Sequence, residues 1–253
     1  MDCDYWDNLA KYFEADVFNV LNNDREGLVV EKLEKYGAKG EKASDIGCGI
    51  GSYLPELCSR FKKVLAVDIS SKCIARAQEE HSELPNVSFM VADLAASGVQ
   101  LPKVNFTLSV NSVITPVMED RNNMLDEICS HLQVGGHLVL VVPSLESAIL
   151  ADLRLIEWNL KNGMTADDAV ETCLQIQKQT DNPRLCEGIV LINDVATKHY
   201  LKEELIFQLQ NRGMETLEID KIEYPWKTEY IRAPRWMKDP LPWDWLFVAR
   251  KVN

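Results

Sequence analysis

The sequence predicts an α/β protein built on a doubly wound, mostly parallel seven-stranded sheet that carries a helical cap insertion. Three observations carry that expectation. Short β-branched runs alternate with longer segments of helical period, the pattern that places helices on both faces of a parallel sheet. The first run is followed at once by "GCGIG", three glycines in five residues from Gly47 to Gly51. The next two runs each end at an aspartate, Asp68 and Asp93.

The elements follow in order. Two helical segments, residues 4–22 and 25–36, come first, and strands are expected at 42–46, 64–68, 87–91, 106–110 and 138–142. Between them, "SYLPELCSRF" follows the glycines and "SSKCIARAQEEHS" opens on a serine suited to N-capping. "EDRNNMLDEICSHL" spaces Met124, Leu125, Ile128 and Leu132 along one face before "VGG" stops it. Residues 144–196 read as an insertion of two amphipathic helices, the second with Thr165 and Asp168 placed for a capping box. "HYLKEELIFQLQNRGM" then reads as a helix ended by Gly213, followed by strands at 215–224 and 243–251 with no helix between them. The expected division is one domain over 1–253: a helical lid at 1–40, a core at 41–143, the cap at 144–196 and the rest of the core at 197–253.

Composition bounds the function. With 253 residues, 46% hydrophobic and 26% charged, the chain can bury a sizeable core. A formal net charge of -12 and the lack of a Lys/Arg run argue against nucleic-acid and anionic-membrane partners. "MDCDYWDNLAKYF" lacks the basic and then apolar layout of a signal peptide, and no run reaches the ~18 apolar residues of a membrane span. A cytoplasmic location is expected. Seven cysteines without a CxxC pair read as free thiols, so no metal is expected.

In a doubly wound sheet the turn after the first strand lies at the switch point, where a ligand can approach the backbone. The dinucleotide fingerprint would want a third glycine at position 52, which is Ser52; the spacing here is DxGxGxG, from Asp45 through Gly47 and Gly49 to Gly51. This motif, with Asp68 and Asp93 in order behind it, resembles the Rossmann-like class I S-adenosylmethionine-dependent methyltransferases of small-molecule type. "HLQVGGHLVLVVPS" resembles the family's Gly-Gly turn and fifth strand, and "PWDWLFVARK" its antiparallel last strand. The resemblance covers about residues 40–143 and 197–253.

It implies S-adenosyl-L-methionine as cofactor and S-adenosyl-L-homocysteine as product. The contacts it implies are Asp45, Gly47, Cys48, Gly49 and Gly51 in the turn, Asp68 and Ile69 at the ribose, and Asp93 and Leu94 at the adenine. Asn111 would lie near the sulfonium, and Tyr12 or Tyr5 would close from the amino-terminal helix. Two features depart from related patterns: Asn105 stands where the family often has Asp, and "NSVI" replaces the NPPY-type motif of enzymes that methylate a flipped base.

Methyl transfer to an O, N or S atom of a small molecule, by in-line displacement, is the expected reaction. A noncatalytic cofactor-binding subunit or regulator, or a protein side-chain methyltransferase, remains open beside it, and oligomeric state is not readable. No catalytic base is assigned: His199 reads as a cap or packing residue, and Cys48 as a small buried filler rather than a nucleophile. The cap is placed to act as a lid, with Trp158 facing the cleft. Trp226 and Trp236 are placed to form an aromatic wall for a flat or cationic acceptor. Trp243, Trp245 and Phe247 read as core.

Overall fold

The computed structural model describes residues 2–37, 41–96, 98–177, 185–192 and 194–253. Parallel strands β1 (Lys42–Ile46), β2 (Lys63–Asp68), β3 (Val87–Val91), β4 (Val104–Val110) and β5 (Leu132–Pro143) form most of the sheet. A small hairpin follows, β6 (Ile189–Ile192) with β7 (Val195–Lys198), and the large sheet is completed by β8 (Met214–Glu223) and β9 (Trp243–Lys251). Its order is β3-β2-β1-β4-β5-β9-β8, with β9 antiparallel to both neighbours. The doubly wound sheet with an antiparallel last strand is therefore observed, and the switch point falls between β1 and β4.

Why the sheet forms is plain from its burial. Val139, Leu140, Val141 and Val142 of β5 are fully buried, because helices cover both faces of the central strand. Trp243, Trp245 and Phe247 share one face of β9 and pack into one core cluster with Leu138, Leu140 and Val142. That face is core, as its alternation predicts.

The helices are α1 (Cys3–Leu9), α2 (Phe13–Asp16), α3 (Val20–Asn23), α4 (Leu28–Tyr36), α5 (Leu54–Arg60) and α6 (Ser71–Glu80). They continue with α7 (Met118–Ser130), α8 (Leu145–Lys161), α9 (Ala166–Gln177) and α10 (Lys202–Gln210). Ser70 caps α6 by accepting from the Cys73 N–H at 3.1 Å, as its position predicts. Thr165 Oγ1 likewise accepts from the Asp168 N–H at 3.2 Å.

Three local expectations are corrected. The amino-terminal helix is broken: a 3-10 turn at Ala10–Tyr12 separates α1 from α2. The "VGG" segment lies inside β5 rather than ending α7, which already stops at Ser130. Gly136 is needed there because a Cβ would lie 2.8 Å from the Asn105 carbonyl oxygen. The insertion also contains the β6–β7 hairpin that helical patterning had hidden; its residues 178–184 and 193 lie outside the described residues.

A buried polar network ties β1 to β4 and to the end of α7. His131 Nδ1 sits 3.0 Å from the Glu127 carbonyl, which can only accept, so that nitrogen carries the proton. Nε2 is then the acceptor for the hydroxyls of Ser44 (2.9 Å) and Thr107 (3.1 Å). Burial holds the imidazole below its ordinary pKa, so it stays neutral.

Candidate functional site

At the carboxyl edge of β1, β2, β3 and β4 the strand ends surround a cavity of about 400 Å³. The glycine turn forms its floor. Gly47 and Gly49 have φ of 72° and 54°, the left-handed region that glycine enters without steric cost. Both positions are also crowded. A Cβ on Gly47 would sit 2.2 Å from Ser112 Cβ, and one on Gly49 2.5 Å from Phe13 Cζ. The turn is thus built for close approach to the β4 loop on one side and to the amino-terminal segment on the other. Gly51 serves a different purpose: a Cβ there would meet Leu54 and His81, and the residue does not line the cavity.

Of the other expected contacts, Asp45, Cys48, Asp68, Ile69, Asp93, Leu94 and Asn111 all line this cavity. Asp68 does two things at once. One oxygen accepts from the Gly49 N–H at 2.8 Å and the other from the Ser70 N–H at 2.8 Å. It therefore braces the glycine turn and the start of α6, while each oxygen keeps a lone pair for a further donor. Asp93 is exposed and accepts only within its own turn, from the Ala95 N–H at 2.9 Å. The Cys48 thiol is buried and pushed well up, above all by desolvation, which makes it inert filler.

Asp45 is 3% exposed, and burial, aided by the nearby Asp68 carboxylate, pushes its carboxyl up to about 7. Asn111 adopts a φ of 48° and donates through Nδ2 to Asp244 Oδ2 at 3.1 Å. Tyr224 donates to the same oxygen at 3.0 Å, and burial lifts Asp244 to about 6. That bond leaves Asn111 Oδ1 buried without a partner, as is the hydroxyl of Tyr53, another cavity residue. An orphaned amide oxygen and the desolvated Asp45 carboxyl in one cavity lining suit a ligand that brings positive charge and N–H donors.

The amino-terminal segment reaches the cavity, but not through its tyrosines. Tyr12 is 55% exposed, and neither it nor Tyr5 lines the cavity; Trp6, Phe13 and Phe18 do. The 3-10 turn explains the change, because it shifts the helical phase and sends Tyr12 outward while Phe13 falls over Gly49. Polar contacts seat the segment. Asp7 accepts from Ser70 Oγ at 2.6 Å and from the Lys72 N–H at 3.2 Å, and Arg76 donates to the Ala10 carbonyl at 2.7 Å. Sequence patterning gave no signal for these partners, which lie more than sixty residues apart.

Among the described lining residues none belongs to α8 or α9 of the cap expected to act as a lid. Instead α8 packs on the loop before β9. Trp158 meets Tyr230 edge-on at 6.0 Å, and the Tyr230 hydroxyl donates to the Ala151 carbonyl at 2.6 Å. Trp226 and Trp236 do not line the cavity, and α8 supplies their cations: Arg154 lies 5.7 and 5.3 Å from their rings and Lys161 3.6 Å from Trp236. His199 is 7% exposed, neutral through burial, and contacts the Thr197 carbonyl through Nδ1; it is a packing residue. Asn105 lies at the opposite end of β4, donating to Gln133 Oε1 at 3.1 Å, so the departure there leaves the cavity untouched.

Residues 43–136 match a family model described as a methyltransferase domain. Trans-aconitate 2-methyltransferase of Deinococcus radiodurans is 30% identical over 102 residues, which cover 40% of this chain and 37% of that enzyme. The chain thus spans little more than a third of that relative's length. A SAM-dependent methyltransferase from Methanosarcina mazei superposes with a TM-score of 0.63 at 16% identity, over 87% of this chain and 96% of its own. Magnesium protoporphyrin IX methyltransferase from Synechocystis PCC 6803, with bound S-adenosylhomocysteine, gives 0.61 at 17% identity, over 98% and 97%. The fold is that of the Rossmann-like S-adenosylmethionine-dependent methyltransferases, and residues 43–136 match their domain.

Two outcomes test this geometry. Gly49→Ala should displace Phe13 rather than unfold the core, lowering S-adenosylhomocysteine affinity at least about tenfold, at a stability cost of roughly 1–3 kcal/mol. Adding Phe13→Leu should recover part of both; unchanged affinity in the single variant would show that the lid contact is irrelevant. The second concerns Asp45. Its folded pKa is raised, so the stability it contributes is full below its unfolded pKa near 4 and lost as pH rises through about 7. Asp45→Asn should therefore raise the thermal midpoint of the ligand-free protein at pH 8 but little at pH 4.5, a difference on the order of 2–4 kcal/mol. Parallel pH profiles for the two proteins would contradict it.

Proposed function

We propose that the chain binds S-adenosyl-L-methionine in this cavity and transfers its methyl group to an oxygen, nitrogen or sulfur atom of a small molecule. A cytoplasmic location belongs to the same proposal; among the described residues no helix is long and apolar enough to cross a membrane. One observation carries the reading: a single cavity has the glycine turn, Asp68 and Asp93 on its strand side and Trp6, Phe13 and Phe18 on its lid side.

The assignments follow from the chemistry of each group. When bound, the cofactor supplies an electrophilic methyl on a sulfonium. Asp68 offers its free lone pairs to the ribose hydroxyls and Asp93 accepts from the adenine amino group. Leu94, Ile69 and Met124 give the base an apolar bed. Asn111 Oδ1 and Asp45 face the positively charged methionine end, and Asp244 with Tyr224 fixes which way the Asn111 amide points. The aromatic lid excludes water, which strengthens each of these electrostatic contacts.

Incubation of the purified protein with methyl-labelled S-adenosylmethionine and a metabolite extract tests the proposal. Label should appear in small molecules. Label in protein alone would make the chain a protein methyltransferase, and binding without any transfer would make it a cofactor-binding subunit.

A further inference from the structure

The charge lining the cavity says more about the acceptor than its shape does. Among the described residues that line it, five are aspartates, Asp2, Asp45, Asp68, Asp93 and Asp120, and none is Lys, Arg or His. Three cations on the surrounding elements have partners of their own. Arg76 is held by Glu14, Glu80 and the Ala10 carbonyl. Arg121, 5% exposed on α7, donates to the Thr115 carbonyl at 2.8 Å. Lys198, 1% exposed, pairs with Glu204 at 2.7 Å and donates to the Glu187 carbonyl.

An anionic acceptor would thus enter a cavity whose described lining holds five aspartates and no cationic side chain. Like charges brought close together repel more strongly in a cavity than in bulk water. The cofactor's sulfonium and ammonium offset part of this field, but its own carboxylate returns one negative charge. Three of the aspartates are assigned to the cofactor above. Asp2, at the start of the lid, and Asp120, in the first turn of α7, are not.

The same lining carries apolar and aromatic surfaces: Trp6, Phe13 and Phe18 from the amino-terminal segment, Ile114 and Val117 from the loop after β4. Aromatic faces and carboxylates together attract an organic cation, while the apolar remainder of the wall favours an uncharged body.

From this we infer that the cavity selects small amines with an apolar body and rejects carboxylates and phosphate esters. The inference rests on the methyl-transfer reading and narrows it to nitrogen acceptors. It also separates this chain from what the carboxylate-bearing name of its Deinococcus relative would suggest.

Calorimetry on the intact protein tests it by binding rather than turnover. The S-adenosylhomocysteine isotherm is recorded first, and the loaded protein is then titrated with three amines (phenethylamine, tyramine, histamine) and two anions (3-phenylpropanoate, phenyl phosphate). At least one amine should bind roughly tenfold or more tighter than either anion, a gap of about 1.4 kcal/mol, and its affinity should fall as salt is raised. Asp2→Asn or Asp120→Asn should weaken that amine by about threefold or more while the S-adenosylhomocysteine affinity and thermal midpoint stay near the parent values. An anion binding as tightly as the best amine overturns the inference, as do amines that all fail to bind at millimolar concentration and amine affinity that both substitutions leave unchanged. Failure of S-adenosylhomocysteine itself to bind overturns the methyl-transfer reading, a result distinct from the others.

Discussion

Close backbone approach at Gly47 and Gly49 is the constraint on which the rest of the site depends. Nothing larger than hydrogen fits between the turn and Ser112, or between the turn and Phe13. With three glycines at positive φ, Gly47, Gly49 and Gly51, the chain leaves β1 and enters α5 without filling the space above the switch point. Asp68 then locks the arrangement by accepting the Gly49 N–H, so the end of β2 and the turn after β1 move as one unit. The same carboxylate reaches the Ser70 N–H, and Ser70 in turn receives Asp7 from the lid. Floor, wall and lid are joined through a few charge-assisted hydrogen bonds.

The two insertions on the common sheet have separate work. The amino-terminal segment covers the cavity, seated by Asp7 and Arg76 on α6 and by Phe18 edge-on to Tyr224 at 4.8 Å. The cap covers the loop between β8 and β9. Ser147 Oγ accepts from the Trp243 N–H at 2.8 Å and Trp245 donates to Glu146 at 3.1 Å, so α8 is fastened to the start of β9. That strand also carries Asp244, which orients Asn111. Among the described residues α8 is thus linked to the cavity through β9.

Much of this was legible in the sequence, and for identifiable reasons. The β1 and β3 strands lie where the sequence placed them: β1 is central and buried on both faces, which leaves few other sequences open to it, whereas β3 is a half-buried edge strand marked by its apolar residues. The glycine spacing was legible because backbone geometry at the turn restricts the residue type, and the two aspartates do reach the same cavity. The lid tyrosines were misplaced because one 3-10 turn rotates every later side chain, and nothing local to "LAKYF" marks it. The cap helices showed apolar faces, but amphipathicity tells that a face is covered and not by what. The contact between Asn111 and Asp244 joins residues 133 positions apart. Only tertiary structure could reveal it.

The most direct measurement of the central claim is titration of the ligand-free protein with S-adenosylmethionine and, separately, with NAD, followed by calorimetry near pH 7. The structure predicts saturable binding of one S-adenosylmethionine per chain, with proton release as the cation draws Asp45 into its charged form, and no heat from NAD. Saturable NAD binding, or S-adenosylmethionine binding that Asp68→Ala and Asp93→Ala both leave unchanged, would contradict it.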